Sequence, residues 1–254
     1  MFKGRRVNMK DKVNFGSTKV LKADKPELVS NIFTSVSNKY DLMNDAMSFG
    51  LHRLWKNRMC DMVKIKNTDN VLDIATGTGD IALKLLNKNI KIDICCLDEN
   101  EDMIDICKNR MIDEGYINNI SYIKSSMEDA SFNENSFSVA TLAFGFRNFT
   151  DHKKALKNIY NLLSPGGRLV IMEFTTPKNK LIKDIYEKYT HKIIPKIGKA
   201  LADDSESYKY LAESISSYYT PDEVLQLFKN AGFINCRFQY LPGNIVTIHI
   251  GYKS

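Results

Sequence analysis

The chain has 254 residues, 43% of them hydrophobic, and a formal net charge of +6, which suits one domain with a sizeable core and some additions. Its basic residues are spread among acidic ones rather than gathered in arginine-rich or aromatic-interleaved stripes, which argues against nucleic acid as a partner. The odd set Cys60, Cys95, Cys96, Cys107 and Cys236 holds no C-x-x-C pair and no long apolar secretory segment opens the chain, so a reduced, intracellular protein is expected. No apolar run reaches the roughly 18 to 20 residues of a transmembrane helix, so any membrane contact is expected to be peripheral.

Residues 1–13 open with a basic Met1-Phe2-Lys3-Gly4-Arg5-Arg6 and read as a disordered tail. Pro26 then starts a helix to about Asn38, with Leu28, Ile32, Phe33 and Val36 on one face, and a second helix covers Leu51 to Val63. Residues 26–64 are therefore assigned as a helical lid over the ligand edge of a following sheet. From there the pattern alternates: strand Asn70–Ile74, helix Asp80–Asn87, strand Lys91–Leu97, helix Glu101–Asp113, short strand Ile120–Ile123 and strand Ser136–Ala143. Helix Asp151–Leu163, the stop and turn Ser164-Pro165-Gly166-Gly167, and strand Gly167–Phe174 continue it. Such alternation predicts an α/β fold with a mainly parallel sheet. After Pro177 comes a lysine-rich helical stretch. Helix Pro221–Ala231 and strands Phe233–Tyr240 and Ile245–Tyr252 complete the chain, the last two as an antiparallel hairpin.

The stretch Val71-Leu72-Asp73-Ile74-Ala75-Thr76-Gly77-Thr78-Gly79-Asp80 carries the chemistry. Gly77 and Gly79 tolerate φ > 0 and let a ligand approach the backbone, while an anionic Asp73 at the strand end favours a cationic ligand such as S-adenosylmethionine (SAM). The letters Gly77-Thr78-Gly79-Asp80-Ile81-Ala82 also satisfy the dinucleotide pattern, so the loop alone leaves SAM and NAD both open. Asp98, ending the second buried strand, is placed to reach a ribose diol in either case. The late Pro-Gly-Gly turn and the little chain left for a separate substrate domain favour SAM. Together these features resemble the class I SAM-dependent methyltransferases, a Rossmann-like sheet with an antiparallel C-terminal hairpin. The histidines His52, His152, His191 and His249 are too scattered for metal-ligand spacing, and no metal is expected.

Blocks outside the loop narrow the resemblance. Asn14-Phe15-Gly16 opens it, and Phe33 to Ser48 contains Lys39-Tyr40-Asp41-Leu42-Met43-Asn44 and runs into Gly50-Leu51-His52-Arg53-Leu54-Trp55-Lys56. Ala143-Phe144-Gly145-Phe146-Arg147-Asn148, Ser207-Tyr208-Lys209-Tyr210-Leu211 and His249-Ile250-Gly251-Tyr252-Lys253 follow. These resemble the UbiE/COQ5 family, the C-methyltransferases of ubiquinone and menaquinone biosynthesis, over nearly everything from Asn14 onward. The resemblance implies SAM as cofactor, a polyprenylated quinol as substrate, and one methyltransferase domain over 14–254 with a helical substrate cap over 178–217. It places Thr78 and Asp98 at cofactor-binding positions, with Asp73, Gly77 and Gly79 in the same loop, and Ser126 and Met127 near the adenine. The sequence departs from the family at Ser126, commonly Asn or Asp, at Ser131, commonly Pro, and at Ala143, often Ser or Gly.

Making a carbon–carbon bond at a quinol ring requires ionising a ring hydroxyl, which for a tyrosine-like phenol costs roughly 4 kcal/mol at pH 7. Arg147 is expected to stabilise that phenolate, with Asn148 positioning the ring oxygen or a water, and Asp45 or His52 considered as proton acceptors. Tyr40, Asp41, Asn44, Trp55 and Tyr208 are the expected substrate contacts, against the alternative of a packed lid. Lysines flanking an apolar face from Lys178 to about Lys196 suit peripheral contact with anionic membrane, against the alternative of a helix that covers the core with its lysines in water. The expected compartment is cytoplasmic, or peripheral on an inner membrane, the matrix side of the mitochondrial one in a eukaryote. Other quinone-synthesis enzymes and a second copy of the chain are the candidate protein partners. An O- or N-methyltransferase of another small aromatic, or a SAM-binding assembly protein without turnover, stand as alternatives, and benzoquinol and naphthoquinol both stay open.

Overall fold

The computed structural model describes residues 11–37, 44–45, 48–88, 91–177, 184, 188–189 and 205–254. Tyr40, Asp41 and nearly all of the lysine-rich stretch 178–196 lie outside them.

A hairpin precedes the first helix: β1 (Lys12–Phe15) pairs antiparallel with β2 (Thr18–Leu21), Phe15 opposite Thr18. Lys12 and Val13, expected in a disordered tail, are thus paired strand residues. The signal was present, because Val13, Phe15, Thr18 and Val20 fall in paired strands either side of a two-residue turn whose Gly16 takes φ +58°. Next come α1 (Lys25–Val36) and α2 (Leu51–Val63). The core alternates β3 (Asn70–Ile74), α3 (Asp80–Leu86), β4 (Asp93–Asp98), α4 (Glu101–Asp113), β5 (Ile120–Lys124), β6 (Phe137–Ala143), α5 (His152–Leu162) and β7 (Leu163–Phe174). Helices α6 (Ser205–Ser216) and α7 (Pro221–Ala231) lead to β8 (Ile234–Tyr240) and β9 (Val246–Tyr252).

Seven strands form one sheet in the order β5-β4-β3-β6-β7-β9-β8. All pairs from β5 to β7 are parallel, and β9 runs antiparallel between β7 and β8. The Ser164-Pro165-Gly166-Gly167 turn is drawn into β7: Leu163 pairs with Phe137 and Arg168 with Val139, an irregular register that absorbs the extra residues.

The period of two along each strand divides the apolar run between two layers. Val71, Ile94, Cys96, Val139 and Val170 face one side with α2 and α3, while Leu72, Ile74, Leu97, Leu142 and Ile171 face the other with α5 and α7. Several ends are capped as their residues demand. Asn100 accepts from Met103 N at 3.1 Å at the start of α4, and Thr220 and Glu223 form a capping box on α7.

Strand order reverses between β3 and β6. Their C-terminal ends therefore diverge into loops on opposite sides of the sheet, the place where open α/β folds bind ligands.

Candidate active site

A cavity of about 750 Å³ lies at this reversal, a size that suits a small-molecule cofactor with part of a substrate. Its floor comes from the strand ends: Ile74 of β3 and Ala75 after it, Leu97 and Asp98 of β4 with Glu99 and Asn100 after them, Ser125 to Asp129 after β5, and Ala143 of β6 with Phe144 and Gly145 after it. Its roof is α1 through Pro26, Val29, Ser30 and Phe33, with Leu21 and Lys22 of the hairpin beside it. Helix α2, expected over the same edge, instead packs Trp55, Met59 and Val63 into the core and ties Lys56 to Asp80 at 2.6 Å.

Two non-glycine residues at the floor have left-handed backbones, Ala75 at φ +49° and Phe144 at φ +59°. Such conformations cost about 1–2 kcal/mol each and persist where surrounding structure enforces them. Here the two loops meet: a side chain added at Gly145 would stand 2.6 Å from Ala75 Cβ.

The glycine loop is braced from below. Asp73 is 1% exposed and does not line the cavity; its carboxylate accepts from Thr76 Oγ1 and from Thr141 Oγ1 of the adjacent strand, each at 2.7 Å. Burial pushes its carboxyl up to about 6, and the two threonines oppose that shift. The expectation of Asp73 as a direct partner of a cationic ligand is thereby revised to loop support. Gly77 lines the cavity, whereas Thr78 is buried behind it, within 3.4 Å of Arg110. Gly79 starts α3 at φ +82°, and a Cβ there would meet Cys107 Sγ at 2.6 Å. Gly79→Ala is expected to cost at least about 1–2 kcal/mol. An unchanged urea midpoint would show that the loop adjusts freely.

Asp98 links the loop to the next strand. Its Oδ2 accepts from Gly77 N and its Oδ1 from Asn100 N, both at 2.9 Å, and burial raises its carboxyl against those bonds. Asn100, absent from the sequence-based assignment, joins roof to floor: its Nδ2 donates to Ser30 O at 3.1 Å and Thr34 Oγ1 at 2.9 Å on α1. Ser126, Met127 and Ala143 also lie in the wall. Ser126 Oγ is engaged with Asp129 Oδ2 at 3.1 Å, so the departure from Asn or Asp at this position leaves its hydroxyl in a local turn.

The loop after β6 separates the two expected catalytic residues. Asn148 lines the cavity, and its Oδ1 accepts from Tyr210 Oη at 3.0 Å. Arg147 does not line it. Its guanidinium donates to Glu173 Oε1 at 3.0 Å, to Phe144 O and to Ser214 Oγ, and lies 5.6 Å over the Phe174 ring. The Arg147 backbone N–H donates to Glu173 Oε2 at 3.1 Å. A buried guanidinium needs a counter-charge, and Glu173, 1% exposed at the end of β7, supplies it. The expected phenolate partner is thus a neutralised brace of the loop. An acidic residue closing the apolar run Leu169–Met172 was the sequence signal for it.

Among the described residues, the other expected contacts stand apart from the cavity. Trp55 packs against Phe144 and Phe174, each with ring centroids 6.3 Å away. Tyr208 is 1% exposed, and Asn44 gives its carbonyl to Ser48 Oγ. His52 and Asp45 bind each other at 2.9 Å, with Arg53 holding the Asp45 carboxyl well below its usual range. His152 and His249 donate to the carbonyls of Phe146 and Pro221, and burial pushes each imidazole down to about 4. The hairpin is anchored to α6: Ser17 N donates to Glu213 Oε2 at 3.0 Å, and Phe15 stacks on Tyr210 at 4.6 Å.

Comparison with known proteins agrees with this architecture. Among solved structures, a SAM-dependent methyltransferase of Thermotoga maritima superposes with a TM-score of 0.62 at 18% identity, covering 88% of this chain and 99% of that one. Phosphoethanolamine N-methyltransferase 2 of Haemonchus contortus, solved with S-adenosyl-L-methionine, gives 0.60 at 14% identity over 78% and 52%. These likenesses establish the fold. The ubiquinone/menaquinone biosynthesis C-methyltransferase UbiE of Francisella tularensis subsp. novicida is 41% identical over 243 residues, 94% of this chain and 96% of its own length. That of Rickettsia bellii is 42% identical over 247 residues, 96% and 99% of the two. The model of the ubiE/COQ5 methyltransferase family matches residues 18–253, and the chain therefore belongs to that family of SAM-dependent methyltransferases.

Proposed function

We propose that this enzyme transfers a methyl group from SAM to a ring carbon of a polyprenylated quinol. The cavity at the strand reversal, where Asp98 and the Gly77 backbone meet, is the observation that carries the reading. Its residues fit the cofactor. Asp98 offers carboxylate oxygens for the ribose hydroxyls, Met127 and Ser126 suit an adenine, and a wall containing Asp98, Glu99 and Glu128 favours a cation. When bound, SAM supplies an electrophilic methyl on a sulfonium.

The chain's own residues prepare the nucleophile. Tyr210 occupies Asn148 Oδ1, which leaves the amide Nδ2 as the donor for a ring oxygen. Phe144 and Phe149 supply apolar wall beside it, where a hydrogen bond to a developing phenolate is stronger than in water. The Arg147–Glu173 pair holds this loop in place and brings no net charge to the ring.

Transfer from methyl-labelled SAM to a short-chain quinol, followed by mass spectrometry of the product, tests the reading. Label on a ring carbon supports it, and label on oxygen overturns the reaction class. Tyr210→Phe is expected to lower kcat roughly 5-fold with unchanged SAM affinity, because about 1 kcal/mol of orientation is lost at Asn148 alone. A matching loss of SAM affinity would place Tyr210 in cofactor binding instead.

A further inference from the structure

Glu99 follows Asp98 at the end of β4 and lines the same cavity as Asp98 and Glu128. Its neighbours are already engaged. Asp98 accepts from Gly77 and Asn100, and Glu128 Oε1 accepts from the backbone of Thr150 at 2.9 Å and Asp151 at 3.2 Å. Among the described residues no hydrogen bond reaches the Glu99 carboxylate; only burial and charges act on it, with Asp98 and Glu128 repelling and Lys25 of α1 attracting. Lys25 itself is 4% exposed and donates to Phe149 O at 2.9 Å. Of the other charged residues that line the cavity, Lys22 pairs with Asp151 and Lys154 with Asp129, each at 2.7 Å, and Asp11 adds a further carboxylate.

We propose that Glu99 is the proton-exchanging group of the cofactor cavity: near neutral pH it is partly protonated in the free enzyme and releases that share of a proton to solvent when cationic SAM binds. This rests on the cavity being the SAM site. Burial and the two like charges hold the Glu99 carboxyl up at about 7, so near neutral pH the free enzyme is close to half protonated there. A ligand of net positive charge favours the carboxylate and lowers that value. Affinity for SAM is therefore full above pH 7 and is lost as pH falls through it.

The test is calorimetry of SAM binding near pH 7 in two buffers of different ionisation enthalpy, comparing the parent with Glu99→Gln and Glu99→Asp. The parent should release about half a proton more than Glu99→Gln, and Glu99→Asp should restore release. Titration of the SAM amine is common to all three and cancels. Equal release in parent and Glu99→Gln, both binding SAM, overturns the inference and leaves the SAM site standing. So does a parent affinity that is flat between about pH 6 and 7, below the range of an α-amino group, a result that needs no variant. A parent that binds no SAM overturns both.

Discussion

Arg147→Ala is expected to cost roughly 3 to 5 kcal/mol of stability and to lower kcat by at least about 10²-fold, with SAM affinity changed only about threefold. The stability term arises because Glu173, 1% exposed, would keep a carboxylate in the core without its partner. The kinetic term arises because the guanidinium bridges Phe144 O and Glu173, so its removal frees the loop that presents Asn148 to the cavity. Urea unfolding and steady-state turnover measure the two effects separately. Arg147→Lys keeps the charge but loses the planar fork and should recover only part of each. The pair Arg147→Met with Glu173→Leu should regain only part of the stability, without turnover: it removes the unpaired buried charge but leaves the Arg147 and Phe174 backbone N–H groups without their acceptor. A variant whose activity falls only in proportion to its unfolded fraction would remove Arg147 from the positioning role.

Asp98→Ala is expected to weaken SAM binding about 10²-fold or more. Each hydrogen bond to a charged group is worth roughly 1.5 to 3 kcal/mol, and this carboxylate holds the backbone and, in the proposed SAM site, would hold the ribose as well. Its loss orphans the Gly77 and Asn100 N–H groups, loosening the glycine loop where it crosses to β4. Calorimetry reads the effect directly. Equal affinity in variant and parent would exclude Asp98 from the cofactor site.

Much of the architecture was legible because it depends on short-range rules. Period-two and period-3.6 patterns located the parallel strands and their helices, and the glycine loop and Asp98 pointed to the sheet edge where the structure has its cavity. Boundaries shifted where pairing decides them. Leu163 to Gly167 reads as a turn but is recruited into β7 because Phe137 and Arg168 find partners across an irregular register. The β1–β2 hairpin was missed because a basic opening masked a short alternation, and its place is set by contacts with Glu213 and Tyr210, 196 and 195 residues beyond their partners.

What the sequence determined by itself is the family, the fold and the sheet edge that carries the cavity: strand, glycine turn and helix are contiguous, and their conformation follows from neighbours along the chain. What tertiary structure alone decided is which polar residues face the cavity. Asp73 and Arg147 sit at the strand and loop positions where a functional side chain is expected, yet both are turned into the protein by partners distant in sequence, Thr141 and Glu173. Asn148 and Glu99 face the cavity instead. The reason is the cost of burying charge: each core carboxylate or guanidinium must find its counter-group first, and only the pairing of remote segments shows which of them remain available to a ligand.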